Sequence, residues 1–387
     1  MYKRQSITFA TLTGLPSETS ENSGINSLLA KLLTKGTHNR TAEEIATTMD
    51  SMGASFGVSC GNNTTLTSAS CLTPDLASTL EIIADIIQNP TLPADALDRE
   101  RDAMIAGLQE QAEDPLAVAF RQLRPALFGK NGYGLSGQGT EESLSSLKPE
   151  ALAEHHKQHF TASNSVLAIF GDIDPDVCVE LAESLFDQLP TGVRSTSISS
   201  SPPEPTEHQL HLNKQQAVLT VGFLGASASD EDNHALELIH DYCTDMAGPL
   251  FTKIREDLGL AYYVHSTQFH GVDTGMFAFY LGTSPEQLET ARTILLEEIK
   301  TIAESGIPED ILESVKTTWL ASHALSNQKM GSLARLSAID LLLGFPADHH
   351  CKVPAQIQSL THDDIKRAAK KYLGSREPVI VSVTPED

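Results

Sequence analysis

The sequence predicts an α+β protein of two homologous domains, each a mostly antiparallel β-sheet with helices packed on one face. Three observations predict it. The second half of the chain repeats the first at a nearly constant offset: residues 49–56 (MDSMGASF) match 255–262 (REDLGLAY) 206 positions on, and 92–97 (LPADAL) match 307–312 (IPEDIL) 215 positions on. A helix over 147–160 followed by a strand recurs as a helix over 360–373 followed by a strand, 213 positions on. Strands and helices follow one another in hairpin order rather than in strict βαβα alternation, which favours antiparallel sheets. Residues 195–207 are rich in Ser, Pro and Thr and have no apolar period, the composition of a linker. The expected division is therefore 1–194, a linker at 195–207, and 208–387.

Taken in order, residues 7–12 alternate apolar and polar side chains as a half-buried strand does, and Gly14-Leu15-Pro16 ends it. An apolar helix over 24–37 (GINSLLAKLLTKGT) comes next, with Leu28, Leu29, Leu32 and Leu33 at helical spacing toward a core. Its other face carries Ser27, Ala30 and Lys31. Thr41-x-x-Glu44 has the form of a capping box and opens a second helix to Met52. Residues 56–60 and 66–72, separated by Gly61-Asn62-Asn63, read as a hairpin. A helix over 74–88 stops at Asn89-Pro90, and Pro93 opens a long helix to about Glu113. Beyond a glycine-broken middle, 148–160 is a helix, 165–170 a strand and 176–186 the last helix of this half.

Composition narrows the partners. The 387 residues carry 51 acidic against 27 basic side chains, a formal charge of −24. Nucleic acid and anionic membrane surfaces are therefore poor partners, and a basic peptide is a better one. Cys60, Cys71, Cys178, Cys243 and Cys351 are odd in number and lack a C-x-x-C, which argues against a disulfide framework and a zinc ribbon. No apolar run is long enough to span a membrane. Residues 1–5 (MYKRQ) read as adapter-derived sequence joined to an open fragment, so a leading strand and any targeting segment are expected to be missing. A soluble protein of a bacterial-type cytoplasm or periplasm is the expectation.

The helix over 24–37 and the stretch 248–264 (GPLFTKIREDLGLAYYV) resemble the insulinase, pitrilysin and mitochondrial-processing-peptidase family of zinc metallopeptidases, and the duplicated plan extends the resemblance over essentially the whole chain. In that family a helix ending in the same Gly-Thr carries H-x-x-E-H, whose histidines bind zinc and whose glutamate activates a water. Set in register on Gly24 and Gly36-Thr37, the three positions here read Ser27, Ala30 and Lys31. The family's remaining ligand, a glutamate on the long helix, falls at Gly107, with Glu100 or Glu110 reachable by a one-turn slip. A hydroxyl, a methyl, an ammonium and a bare backbone supply neither a ligand set nor a general base. The resemblance thus implies a chain that holds no zinc and is inactive alone.

The same resemblance gives the second half a role. Its L-F-x-x-x-R-E followed by G-L-A-Y implies that Arg255 and Tyr262 face a chamber where they hold the substrate backbone and the developing oxyanion. In the first repeat the matching residues are Met49 and Phe56, so the polar pair occurs only where the family uses it. The implied protein is a non-catalytic subunit, or the C-terminal half of a longer chain, working with an H-x-x-E-H-bearing partner that holds the zinc. Two alternatives stand beside it: a structural scaffold with no part in proteolysis, and a peptidase with a displaced metal site. The second would draw on His155 and His159, four apart on one helix. Their counterpart, residues 367–372 (RAAKKY), is a solvated basic face, so the histidines are expected at the surface with His159 partly buried. His349-His350 is expected in a loop.

Overall fold

A computed structural model describes residues 3–195 and 206–386. The first repeat runs β1 (Arg4–Leu12), α1 (Ile25–Leu32), α2 (Ala42–Ser51), β2 (Ser55–Cys60), β3 (Thr64–Leu72), α3 (Leu76–Gln88), α4 (Ala94–Gln111), α5 (Pro115–Phe128), α6 (Glu141–Ser146), α7 (Pro149–His159), β4 (Ser165–Phe170) and α8 (Pro175–Leu185). The second runs β5 (Glu207–Leu212), β6 (Ala217–Gly225), α9 (Asn233–Thr244), a wide helical turn over Leu250–Asp257, β7 (Tyr263–His270), β8 (Gly275–Thr283), α10 (Leu288–Ser305), α11 (Glu309–Ser326), α12 (Met330–Leu343), α13 (His349–Ser359), α14 (His362–Ala369) and β9 (Val379–Pro385). Local chemistry sets several ends. Thr41 and Glu44 form the expected reciprocal capping box, and the hairpin of β2 and β3 turns over Gly61-Asn62-Asn63.

The two sheets share one plan. The first has the order β2-β3-β1-β4 with every neighbour antiparallel, and the second β7-β8-β6-β9 in the same sense with β5 added parallel to β9. The α+β reading with antiparallel-rich sheets holds.

By its contacts the chain divides into two compact units, and neither is contiguous. One takes in Met1–Leu108, Leu135–Ser197 and Leu325–Cys351; the other Gln109–Gly134, Ile198–Ala324 and Lys352–Asp387. In the first, Ile7 and Phe9 of β1 join Leu28 and Leu29 of α1 and Leu80 and Ile83 of α3 in the core. The opposite face of β1, Ser6, Thr8 and Ala10, is also buried, because α12 packs there through small residues such as Ala334 and Ala338. In the second unit Leu219, Val221 and Phe223 of β6 meet Leu236 of α9 and Leu295 of α10. Here α5 covers the opposite face, and Gly222 makes room for it: a Cβ there would meet a Leu123 methyl at 2.7 Å.

Each sheet therefore carries its main helical layer on one face and a single helix on the other. That single helix comes from the other half of the sequence. A division at 195–207 assumes contiguous halves and separates α5 and α12 from the sheets they cover. Most of that linker, residues 196–205, lies outside the described residues.

Candidate functional site

The α1 helix is fixed from behind. Gly24, at its N-terminus, has φ 88°, and a side chain there would meet the backbone of Gly139 at 2.9 Å. The buried Glu18 carboxylate accepts the Gly24 and Asn26 N–H groups at 2.8 and 3.1 Å, satisfying donors that a helix start leaves orphaned. It also accepts the Asn26 side-chain amide at 2.9 Å. Burial nonetheless pushes the Glu18 carboxyl upward, against the lowering by these bonds. Asn26 in turn accepts from His155 Nε2 at 2.9 Å. With Leu28, Leu29, Leu32 and Leu33 all in the core, only one face of α1 is left to line a cavity.

That cavity, about 500 Å³, lies within the first unit. Ser27, Ala30 and Lys31 of α1 line it together with Gly107 of α4, Cys60 and Asn62 of the β2–β3 hairpin, and Gln138. The four positions singled out by register are thus brought together by the fold. The Ser27 hydroxyl donates to the Gly137 carbonyl at 2.6 Å. The Lys31 ammonium stands 3.7 Å from the Glu100 carboxylate, which Lys35 approaches to 2.7 Å. The bond from Lys35 leads in holding Glu100 below the usual carboxylate range, outweighing its partial burial, and the charge of Lys31 adds to the lowering.

The donor set does not suit zinc. The cavity offers a hydroxyl, amides, a thiol and an ammonium, and no imidazole. Burial pushes the Cys60 thiol up to about 12, so it stays protonated rather than becoming the thiolate a metal needs. Glu100 already neutralises lysines. Among the described residues no three His, Cys, Asp or Glu side chains are grouped to share a metal ion.

The histidine cluster is corrected in two respects. His155 is buried, not a surface residue, and His156 is half-buried with its Nε2 donating to the Ile87 carbonyl at 2.9 Å. Burial holds His155 down at about 3 and His156 at about 4, so both are neutral donors that tie α7 to α1 and α3. His350 lies not in a loop but in the first turn of α13, buried, with its Nδ1 2.7 Å from Asp340.

In the second unit Leu250 and Ile254 bury themselves while Arg255 stays exposed, its guanidinium 4.9 Å above the Phe251 ring. Gly259, at φ 61°, reverses the chain. Thr283 Oγ1 donates to the Leu260 carbonyl at 2.5 Å, and the Tyr262 N–H donates to the Gly282 carbonyl at 2.8 Å, which sets the start of β7. Tyr262 is 61% exposed, far more than a packing tyrosine requires. Arg255 and Tyr262 are thus both exposed residues. Among the described residues, Arg255 has no ion-pair partner.

Sequence reading missed a second cavity, about 300 Å³, within this unit. It lies between α9 and α11, and its lining includes His240, Asp241, Thr318 and Ser322. The 215-position offset that relates α4 to α11 sets Ser322 against Gly107, so the repeat itself was the signal. Burial, with the charges of Glu237 and Asp245, pushes the Asp241 carboxyl up to about 6.

Known proteins resemble this chain in both sequence and fold. A family model described as Insulinase (Peptidase family M16) matches residues 6–141, and one described as Peptidase M16 inactive domain matches 146–318. An uncharacterized zinc protease of Bacillus subtilis, YmxG, is 28% identical over 336 residues, covering 86% of this chain and 81% of that protein. An uncharacterized zinc protease of Rickettsia felis is 29% identical over 329 residues, covering 84% and 78%. Among solved structures, a peptidase M16 inactive domain from Pseudomonas fluorescens superposes with a TM-score of 0.92 at 22% identity, covering 99% of this chain and 93% of that one. At that identity the likeness speaks for the fold.

Proposed function

The chain belongs to the insulinase family, peptidase family M16, and from that premise we propose that it is the non-catalytic part of a two-part zinc metalloendopeptidase. It acts as a separate subunit or as the C-terminal half of a longer chain. Its partner carries H-x-x-E-H and the zinc, and its own contribution is Arg255 and Tyr262, donors to the peptide backbone and to the oxyanion that develops during cleavage. Unfolded peptides are the substrate class.

One observation carries this reading: Ser27, Ala30, Lys31 and Gly107 meet at one cavity, and together they provide no metal ligand and no general base. A relative that cleaves peptides with zinc needs both. The exposure of Arg255 and Tyr262 supports the second half of the reading, since neither side chain is buried in a core. No helix among the described residues is long and apolar enough to cross a membrane.

The test is metal content and turnover. The chain is loaded with zinc, desalted and analysed for metal, and peptide cleavage is measured alone and after mixing with an H-x-x-E-H-bearing protein encoded beside it. The expected result is no retained zinc, no cleavage alone, and cleavage that rises above the partner's own rate on mixing. One tightly held zinc per chain with cleavage by the chain alone overturns the reading.

A further inference from the structure

The two repeats differ where the first strand of each sheet outruns its neighbour. At the 213-position offset, Asn164 and Ser165 of the first repeat stand against Glu377 and Pro378 of the second. In the first unit β4 pairs with β1 from Ser165, opposite Thr11, and the buried Asn164 closes the next rung. Its side-chain amide donates to the Leu12 and His159 carbonyls, at 2.8 Å each, and its oxygen accepts the Ser195 N–H at 2.9 Å. In the second unit Pro378 has no N–H to give the ladder, and pairing of β9 with β6 begins at Val379, opposite Gly222. β6 continues along β8 to Gly225, so the rung of Leu224 lies beyond the paired part of β9. The residue across from it is the exposed Glu377, and a carboxylate accepts hydrogen bonds where the Asn164 amide donates them.

A cavity of about 560 Å³ within the second unit lies at this open rung, and its lining includes Leu127, Leu224, Asp273, Tyr372, Arg376 and Glu377. Its inner charges are matched: Asp230 accepts the Tyr372 hydroxyl at 2.6 Å and lies 3.4 Å from the Lys371 ammonium. Asp273, Arg376 and Glu377 make no ion pair among the described residues, and two acids there face one base. We propose that this cavity binds a short extended segment of basic peptide, which pairs main chain to main chain with Leu224 where the first unit has Asn164. The Leu224 carbonyl needs the donor that the asparagine supplies in the other repeat, and a peptide N–H is that donor. Successive side chains of the segment point to opposite faces, so an apolar one meets Leu127 while a lysine or arginine comes within reach of Asp273 and Glu377. Neither Arg255 nor Tyr262 lines this cavity, so the assignment stands apart from the role given to that pair.

The test uses the chain alone, without a zinc-bearing partner, and peptides of about five residues, blocked at both ends, in which valine alternates with lysine, serine or glutamate. Amide hydrogen exchange at residues 223–225 and a binding titration are read together. The lysine peptide is expected to slow exchange there by about tenfold and to bind about tenfold more tightly than the glutamate peptide, with the serine peptide between them. Glu377→Asn returns the amide of the first repeat to the rung, and is expected to abolish binding of the lysine and serine peptides in a chain that melts at the unaltered midpoint. Asp273→Asn keeps the rung open and is expected to weaken the lysine peptide alone, by about threefold. Exchange that no peptide slows overturns the proposal, as does binding that Glu377→Asn leaves intact. A glutamate peptide that binds as tightly as the lysine peptide overturns the basic occupant.

Discussion

Gly53 and Gly259 stand at equivalent points of the two repeats and share one backbone conformation, φ 60° and 61°, yet the helices they end differ by one residue of winding. In the first repeat the Ala54 N–H reaches back to the Met49 carbonyl at 3.0 Å, and Met49 is in the core. In the second the Leu260 N–H reaches one residue further, to the Ile254 carbonyl at 2.9 Å. The wider turn rephases the helix so that Ile254 takes the buried place and Arg255, the counterpart of Met49, moves to the surface. Neither glycine has a neighbour within 4 Å of where a Cβ would stand, so only backbone strain opposes a side chain. Gly53→Ala and Gly259→Ala are expected to cost about 1 kcal/mol each in urea denaturation. Gly24→Ala adds a backbone collision and is expected to cost about 2 kcal/mol or more. Equal losses at the three sites would contradict this packing.

Acid should weaken the first unit through α7. Burial holds His155 at about 3 and His156 at about 4, while an unfolded histidine titrates near 6.5. Both folded values are depressed, so the neutral rings stabilise the protein fully above about pH 6.5, and that contribution is lost as pH falls toward 3 and 4. The slope is up to about 1.4 kcal/mol per pH unit for each ring. Replacing His155 by Gln keeps a donor for Asn26 without the titration, and stability measured from pH 7 to 5 should then fall less steeply. An identical slope would mean that His155 is not held neutral.

The exchanged helices make a prediction about cleavage. A protease site inserted between Ser195 and Thr206 and then cut leaves α5 on the N-terminal fragment, although α5 packs on β6 and β9, and α12 on the C-terminal fragment, although it packs on β1 and β4. The two fragments should stay together on gel filtration and part only in denaturant. Separation under native conditions would show that contiguous halves are the folding units.

How much of this was legible in the sequence varies with the physics of each feature. The repeat was, because Gly53 and Gly259 end helices in both halves within matching motifs at a nearly constant offset, and so was the Thr41–Glu44 cap, a local signature. The faces of α1 were legible too, since Leu28, Leu29, Leu32 and Leu33 leave Ser27, Ala30 and Lys31 together by helical geometry alone. The burial of His155 was not, because it depends on Asn26, which lies 129 residues away. Nor was the exchange of α5 and α12, whose apolar faces say that they pack but not on which sheet. The wide turn before Gly259 was hidden for a similar reason: it is one residue of winding, and the matched motif reads through it.

The cavity of the first unit can be asked to hold metal. Gly107 has open space where a side chain would go, and Lys31 is half-exposed, so Ser27→His, Ala30→Glu, Lys31→His and Gly107→Glu together place the family's donor types around one void. The fourfold variant should take up about one zinc per chain, weakly because supporting hydrogen bonds are absent, against less than about 0.1 in the unaltered chain. Equal metal content in the two would show that the cavity is not the site the register implies.

The central claim is that Arg255 and Tyr262 serve a chamber completed by a zinc-bearing partner, and turnover of the reconstituted pair tests it most directly. Peptide cleavage and assembly are measured side by side for the unaltered chain, Arg255→Ala and Tyr262→Phe. Loss of one preorganised donor to a developing oxyanion is worth about 2 to 4 kcal/mol, so each variant should assemble normally and turn over about 10² to 10³ times more slowly. Normal assembly with cleavage at the unaltered rate in both variants would contradict the claim and leave the chain as a structural scaffold.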